Sequence, residues 1–291
     1  MLHRPARLYG WLLVLPALVL LFAFTHYPTI ATIWNSFFTT PKGSRPARFI
    51  GLDNYEYLLT DSVFWQVLWN NAIYAFGTIP LSIILSLAMA LWVNGHIRGR
   101  AFVRMAYFTP TVLPLIAVAN IWMFFYTPGF GLISQIQAFL GFPSQNWLGD
   151  PDSVLYAVMA VAIWKEAGFF MIFYLAALQA IPPSLHEAGK IEGASRWYMF
   201  WRITFPLLMP TTLFVSINAV INSFRLIDHI FVMTNGGPNN SSSLLLFYIY
   251  ETAFKFWDTS YGATLTTVLL LILGLIAVGQ FYLMDRKVHY Q

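Results

Sequence analysis

Six stretches of this 291-residue chain, near residues 9–33, 66–93, 104–126, 153–180, 205–227 and 262–284, are apolar over about the 20 residues that a helix needs to cross hydrocarbon. A bilayer core offers no water to backbone N–H and C=O groups, so each stretch must satisfy them internally as a helix. The expected fold is therefore an all-α integral membrane protein with six transmembrane helices. Composition agrees: charged residues are 10% of the chain and hydrophobic ones 58%, whereas about a quarter of a soluble domain is charged. No internal repeat or long flexible linker is visible, so residues 1–291 read as one membrane domain, with the first span and an outer loop over 1–65 and a five-span core over 66–291. The first span begins basic like a secretory signal, but its apolar run is too long and lacks a small-residue cleavage site, so it reads as a retained anchor.

Charge sets the expected orientation. Arg4 and Arg7 precede the first span, Arg98, Arg100 and Arg104 flank the second link, Lys190, Arg196 and Arg202 lie between the fourth and fifth spans, and Arg286 and Lys287 follow the last. All fall on one side, which the positive-inside bias makes cytoplasmic, together with both termini. The opposite links carry Asp53, Glu56, Asp61, Asp150, Asp152, Glu251 and Asp258, with Lys42, Arg45, Arg48 and Lys255 running against the trend. The net charge of +4 is explained by this bias and gives no reason to expect a nucleic-acid partner. There is no cysteine, so disulfides and thiolate metal sites are excluded. The six histidines have no ligand spacing, and H-E-x-x-H and G-x-S-x-G are both missing, so neither a metal site nor an enzyme is expected.

Residues 181–210 interrupt the apolar pattern with IPPSLHEAGKIEGASRWYMFWRITFPLLMP. Pro182 and Pro183 stop the preceding helix, and Ser184 with Glu187 has capping-box spacing, so a short helix is expected to begin there. Gly193 permits a sharp turn, and Ser195 is placed to cap a second short helix carrying Trp197, Phe200, Trp201 and Ile203 along the membrane face. The two make a knuckle.

Glu187, Ala188, Gly193, Ala194, Phe200, Ile203, Pro206 and Pro210 stand at the spacing of the EAA loop, and here the chain resembles the permease subunits of binding-protein-dependent ABC importers. Trp164-Lys165, residues 178–182, residues 234–238 and the closing run 287–291 extend the resemblance to the sugar permeases of the maltose and glycerol-3-phosphate type. The sequence departs at Gly189, where Ala is common and where glycine is expected to loosen the first short helix, and at Glu192, where Asp is common. The resemblance implies a permease in the inner (cytoplasmic) membrane that works by alternating access and carries a carbohydrate or carbohydrate-like solute, with an anionic sugar as one expectation. It implies as partners a second homologous permease subunit, two ATP-binding cassette ATPase subunits and an extracytoplasmic solute-binding protein, besides membrane lipid. No G-x-x-x-x-G-K-[ST] run occurs, so no cofactor is expected in this chain, and ATP and Mg belong to the ATPases. The positions expected to couple to them are Glu187, Ala188, Gly189, Glu192, Gly193, Ala194, Arg196 and Phe200. Glu187 has two compatible readings, a contact on the ATPase and a cap on its own helix. The 235–240 turn is expected near the solute-binding protein.

A charged group at membrane depth costs at least about 2.5–3.5 kcal/mol on insertion scales, so it is normally paired or functional. Lys165 and Glu166 lie mid-span and, being adjacent, point about 100 degrees apart on a helix, so at least one needs a partner elsewhere. They either hold helices together or line the solute path. The resemblance favours the path for Glu166 and Phe169. Asn218, Asn222 and Arg225 share a helical face, and Arg225 either binds an anionic solute through its planar fork or pairs with Asp228 at i, i+3. Among the many aromatics, Phe169 and Tyr174 are the candidates for stacking on a sugar ring. The competing class is an ion-coupled secondary transporter using Lys165 and Glu166 as a charge relay, which needs no knuckle.

Overall fold

The computed structural model describes residues 4–95 and 98–285; Arg286 and the run 287–291, which entered the orientation and family readings, lie outside them. Among the described residues every extended regular element is helical, and strand pairing is confined to two isolated bridges. In chain order the helices are α1 (Arg4–Leu21), α2 (Tyr27–Asn35), α3 (Asp53–Thr60), α4 (Ser62–Asn94), α5 (Arg100–Val112), α6 (Leu115–Tyr126), α7 (Leu132–Phe139), α8 (Val154–Ala180), α9 (Pro183–Ile191), α10 (Arg196–Met199), α11 (Phe205–Arg225), α12 (Asp228–Met233), α13 (Leu245–Tyr250) and α14 (Thr259–Asp285). Among the described residues, five helical stretches are long and apolar enough to cross a membrane, and a sixth is reached when α5 and α6 count as one bent span.

That pair corrects the third expected span. Residues 104–126 are not one helix: α5 and α6 meet at 103°. Leu113 is extended at φ −73, ψ 137, as a residue before proline prefers, and Pro114 has no N–H with which to continue the ladder. Two other prolines are absorbed more gently. A π turn, Phe22–His26, joins α1 to α2 just before Pro28, and another, Phe200–Thr204, joins α10 to α11 just before Pro206. Each lets the chain run on without a sharp bend.

The chain gathers into two compact units, Met1–Asp61 with Tyr248–Ile272, and Ser62–Phe247 with Leu273–Gln291. In the second unit α8 is apolar all round and is the central post, with α4, α5 and α11 packed on it. Glycines set the spacing: a Cβ on Gly168 would run into the Tyr107 carbonyl of α5, and one on Gly77 of α4 into Met159 of α8. Tyr74, Val158, Val161 and Phe247 anchor one apolar cluster, and Phe170, Met171, Tyr174, Leu208 and Val215 another. The loop before α13 is tied to α4 by polar bonds. Asn70 Nδ2 donates to the Asn240 and Ser243 carbonyls at 2.7 and 3.1 Å, and the Leu245 N–H donates to Asn71 Oδ1 at 3.1 Å.

In the first unit the span Tyr9–Asn35 has none of its apolar window buried, the condition of a helix whose neighbour is lipid or another chain. Polar pins hold the rest: Ser36 Oγ and Tyr55 Oη share a hydrogen bond at 2.7 Å, and Asp61 Oδ2 accepts from Tyr248 Oη at 2.7 Å and Tyr261 Oη at 2.6 Å. Burial, and then the Asp61 carboxylate it bonds, push the Tyr248 hydroxyl well above the usual tyrosine range.

Candidate functional site

The knuckle is built as a helix, a glycine turn and a return. Ile181 is extended before Pro182, and Pro183 occupies the first turn of α9, where a missing N–H costs nothing. Because the helix starts at Pro183, Ser184 is already inside it; no side chain caps this terminus, and the expected Ser184–Glu187 capping box does not form. The Glu187 carboxylate is exposed instead. The far end of α9 closes as a Schellman motif, with the Ala194 N–H donating to the Gly189 carbonyl at 2.9 Å, the Gly193 N–H to Lys190 at 3.0 Å, and Gly193 at φ +76. Ser195 then caps α10 as expected, its Oγ accepting the Tyr198 N–H at 3.2 Å.

The second short helix is not separate: its one turn passes through the Phe200–Thr204 π turn into α11. Gly189 is buried, and a Cβ there would sit 3.2 Å from Met199 Sδ and 3.5 Å from Ile203 Cδ1. Glycine thus brings α9 close against α10, a packing role beside the loosening expected of it. His186 Nε2 and Thr204 Oγ1 add a strut at 3.2 Å. With that inner seam closed, Glu187, Ala188, Lys190, Glu192, Gly193 and Arg196 face outward, while Ala194 and Phe200 are half-buried. Ile191 is 87% exposed at the tip beside the turn. It escaped the sequence reading, because an isoleucine in an amphipathic pattern is normally assigned to the inner face.

The second feature lies mid-way along α8. Lys165 Nζ donates to the carbonyls of Pro110 at 2.8 Å, Thr111 at 3.3 Å and Leu113 at 2.6 Å. These are the groups released where α5 ends, since Pro114 has no N–H to return to Pro110. The ammonium takes the place of the missing donors and pins the bend to α8. Its neighbour Glu166 is 8% exposed, has Asn222 as a hydrogen-bonding side chain, and leaves Oε1 without a partner. Both line a cavity of about 100 Å³ with Thr111, Phe169, Asn222 and His229. His229 is fully buried, its Nε2 sharing a hydrogen bond with Tyr74 Oη at 3.0 Å and its Nδ1 left without a partner.

Four of the six expected solute residues, Lys165, Glu166, Phe169 and Asn222, therefore meet around one cavity, and two do not line it. Asn218 is half-buried, and its Nδ2 is turned back on the Phe214 carbonyl of its own helix at 2.8 Å. Arg225 is the exposed last residue of α11. The alternative Arg225–Asp228 pair does not form, because Leu226 at φ −84, ψ 102 ends the helix and Asp228 belongs to α12, so the two share no i, i+3 face. Tyr174 is buried, with its hydroxyl on Thr212 Oγ1 at 3.2 Å, and is a core residue, not a stacking platform. His229 and Thr111 were missed, the first because it was assigned to an outer loop, the second because the α5–α6 bend that exposes it was read as straight helix.

Residues 82–290 match the family described as the binding-protein-dependent transport system inner membrane component. The chain belongs to this family. It is accordingly a membrane-embedded permease component of a transport system and not an enzyme, and the 181–210 knuckle is its EAA loop. Relatives match along nearly the whole length. The sulfoquinovosyl glycerol transport system permease protein SmoG of Agrobacterium fabrum is 33% identical over 90% of this chain and 86% of its own. The trehalose/maltose transport system permease protein MalF of Thermococcus litoralis is 34% identical over 96% of each. Among solved structures, a bacterial ABC transporter involved in the import of the acidic polysaccharide alginate superposes with a TM-score of 0.84 at 22% identity, over 97% of this chain and 96% of that one. This last likeness speaks to the fold of the permease.

Proposed function

We propose that this chain, acting as a single permease domain, is one half of the solute path of an ATP-driven importer for a carbohydrate or carbohydrate-like solute. The observation that carries the reading is the unpartnered Glu166 Oε1 in a cavity at the middle of α8. A buried acceptor without a donor is costly, about 1–3 kcal/mol, and a hydroxyl-rich solute supplies what it lacks. The cavity is small because a second, homologous permease subunit forms its other wall. The knuckle faces the cytoplasm, with both termini on that side, and its outward Glu187, Ile191, Glu192 and Arg196 seat in one of two ATPase subunits, which hold the ATP and Mg. An extracytoplasmic solute-binding protein delivers the solute to the opposite face. ATP-driven approach of the ATPases pulls on α9, and the continuous α10–α11 rod carries that motion to Asn222 beside Glu166.

We further propose that the solute is anionic. Arg225 stands exposed and out of reach of an Asp228 pairing, so its fork is available for a carboxylate, phosphate or sulfonate. Among the relatives, the Agrobacterium protein serves sulfoquinovosyl glycerol and the Thermococcus protein trehalose and maltose, so the scaffold accommodates different solutes and the choice rests on such residues. A binding screen on the cognate solute-binding protein, followed by uptake with Arg225→Ala, tests this. The expected result is a roughly tenfold or greater loss for the anionic solute, the factor that 1.4 kcal/mol represents, with a neutral analogue unchanged. Equal uptake of every anionic candidate by both forms refutes the anion reading and leaves the importer reading in place.

A further inference from the structure

The first unit holds a feature that the transport path does not use. Between α2 and α3 the chain folds into a small hairpin: the Ile50 N–H donates to Phe37 at 2.9 Å, the Thr39 N–H to Arg48 at 2.8 Å, and Phe38 bridges to Phe49. At the tip, Lys42 and Arg45 form the last bridge, exchanging N–H···O bonds at 3.2 and 3.0 Å around Gly43 at φ +57. Directly opposed residues put their side chains on one face, and like charges so placed repel. Arg48 lies on the same arm. These three cations and one carboxylate, Asp258, line a concave site of about 430 Å³.

The carboxylate is already engaged. Asp258 Oδ1 accepts from Thr40 Oγ1 at 2.5 Å and from the Tyr261 N–H at 3.2 Å, while Thr40 Oγ1 accepts the Ser260 N–H at 2.9 Å. Asn54, also on the wall, is spent on the Ser36 and Phe38 carbonyls at 2.8 and 3.0 Å, holding the hairpin against α3. Among the described residues, none of Lys42, Arg45 and Arg48 enters an ion pair. The concavity thus has a surplus of positive charge on a preformed backbone.

Its level relative to the bilayer identifies the ligand chemistry. Asn35 ends α2 four residues before Thr39, and Thr259 opens α14 directly after Asp258. Both walls therefore start from helix ends next to the headgroup band, which is about 5–7 Å deep on each side of the hydrocarbon. Large aromatics ring the same level: Trp34 at 62% exposure, Phe49 at 66%, Phe256 at 65% and Trp257 at 74%. Exposed rings of this kind mark the membrane–water interface. We propose that this concavity binds the phosphate headgroup of an anionic phospholipid, which bridges Lys42, Arg45 and Arg48, relieves their mutual repulsion and fixes the hairpin to the bilayer surface. The inference depends on neither the solute nor the orientation of the chain, because either leaflet presents such headgroups at this level.

The full chain, purified within its assembled transporter, is titrated with dihexanoyl phosphatidylglycerol, dihexanoyl phosphatidylcholine and inorganic phosphate, with bound species read by native mass spectrometry. The expected result is at least fivefold tighter retention of one phosphatidylglycerol over phosphatidylcholine. The combined Lys42→Gln, Arg45→Gln and Arg48→Gln variant abolishes that preference, whereas Lys255→Gln, on a lysine outside the concavity, keeps it. Should the triple variant fail to assemble, Arg45→Gln alone carries the test through a loss of about half the preference. Equal retention of the two lipids, or a preference surviving the triple substitution, overturns the proposal. Inorganic phosphate competing as strongly as the lipid shows a site for free anions and overturns the lipid source. A triple variant that loses the solute-binding protein yet keeps phosphatidylglycerol assigns the patch to protein docking and overturns it as well.

Discussion

Two interruptions of helix, one at Leu113–Pro114 and one at Gly193, show how the same backbone event is handled at membrane depth and at a surface. At the first, the carbonyls left over by proline cannot turn to water, and a lysine from another helix satisfies three of them. At the second, a glycine in the left-handed region and two N–H···O bonds close the helix locally, and a Cβ added to Gly193 would meet nothing within 4 Å. The deep bend is held by a side chain and belongs to the frame; the outer bend is held by local backbone and leaves its outer side exposed.

Lys165→Met attacks the deep bend and is expected to have the largest effect. Three orphaned carbonyls cost about 1–3 kcal/mol each, while deleting a charge from membrane depth returns about 2.5–3.5 kcal/mol. The net loss of roughly 3 kcal/mol should appear as a lower unfolding temperature in detergent together with lost uptake; unchanged stability would mean that the ammonium does not hold the bend. Glu166→Gln separates the neighbouring carboxylate from that frame. A charged hydrogen bond to solute is worth about 1.5–3 kcal/mol, so uptake should fall about tenfold or more with stability equal or higher, measured on the same preparation. Gly193→Val forces a β-branched residue into φ +76 at a cost of about 1–2 kcal/mol. The transporter should still assemble, as judged by size-exclusion chromatography, while ATP-driven uptake drops by around tenfold. Assembly lost with this variant and kept with Lys165→Met would reverse the two roles. Smallest is Gly189→Ala: helix propensity gains up to about 1 kcal/mol, offset by the shift of flexible Met199, so the unfolding temperature should barely move. A large loss would show that the α9–α10 seam has no slack.

The spans, the knuckle and its Gly193 turn were readable because apolar runs, paired prolines and glycine act locally. What escaped involved contacts between distant parts of the chain. At least one of Lys165 and Glu166 was expected to need a partner on another helix, yet the carbonyl cluster that Lys165 finds 52 to 55 residues earlier exists only because Pro114 breaks a helix that, averaged over residues 104–126, looks uniformly apolar. Ser184 lost its capping role because the cap position falls two residues earlier, at Pro182. Arg225 and Asp228 matched helical spacing on paper, but Leu226 ends the helix between them. Asn218 shares a face with Asn222 and still points away from the cavity, since a helical face is broader than a 100 Å³ site. His229 had no local signal at all; its partner Tyr74 lies 155 positions away.

A gate moved from outside itself through the knuckle transports nothing without its motor. Proteoliposomes loaded with ATP and containing either this chain with its second permease alone, or the same pair with the two ATPases, test it directly when supplied with solute-loaded binding protein. The expected result is concentrative uptake in the second preparation, none in the first, and none in the second when ATP is withheld. Solute accumulated by the permeases without the ATPases would contradict it.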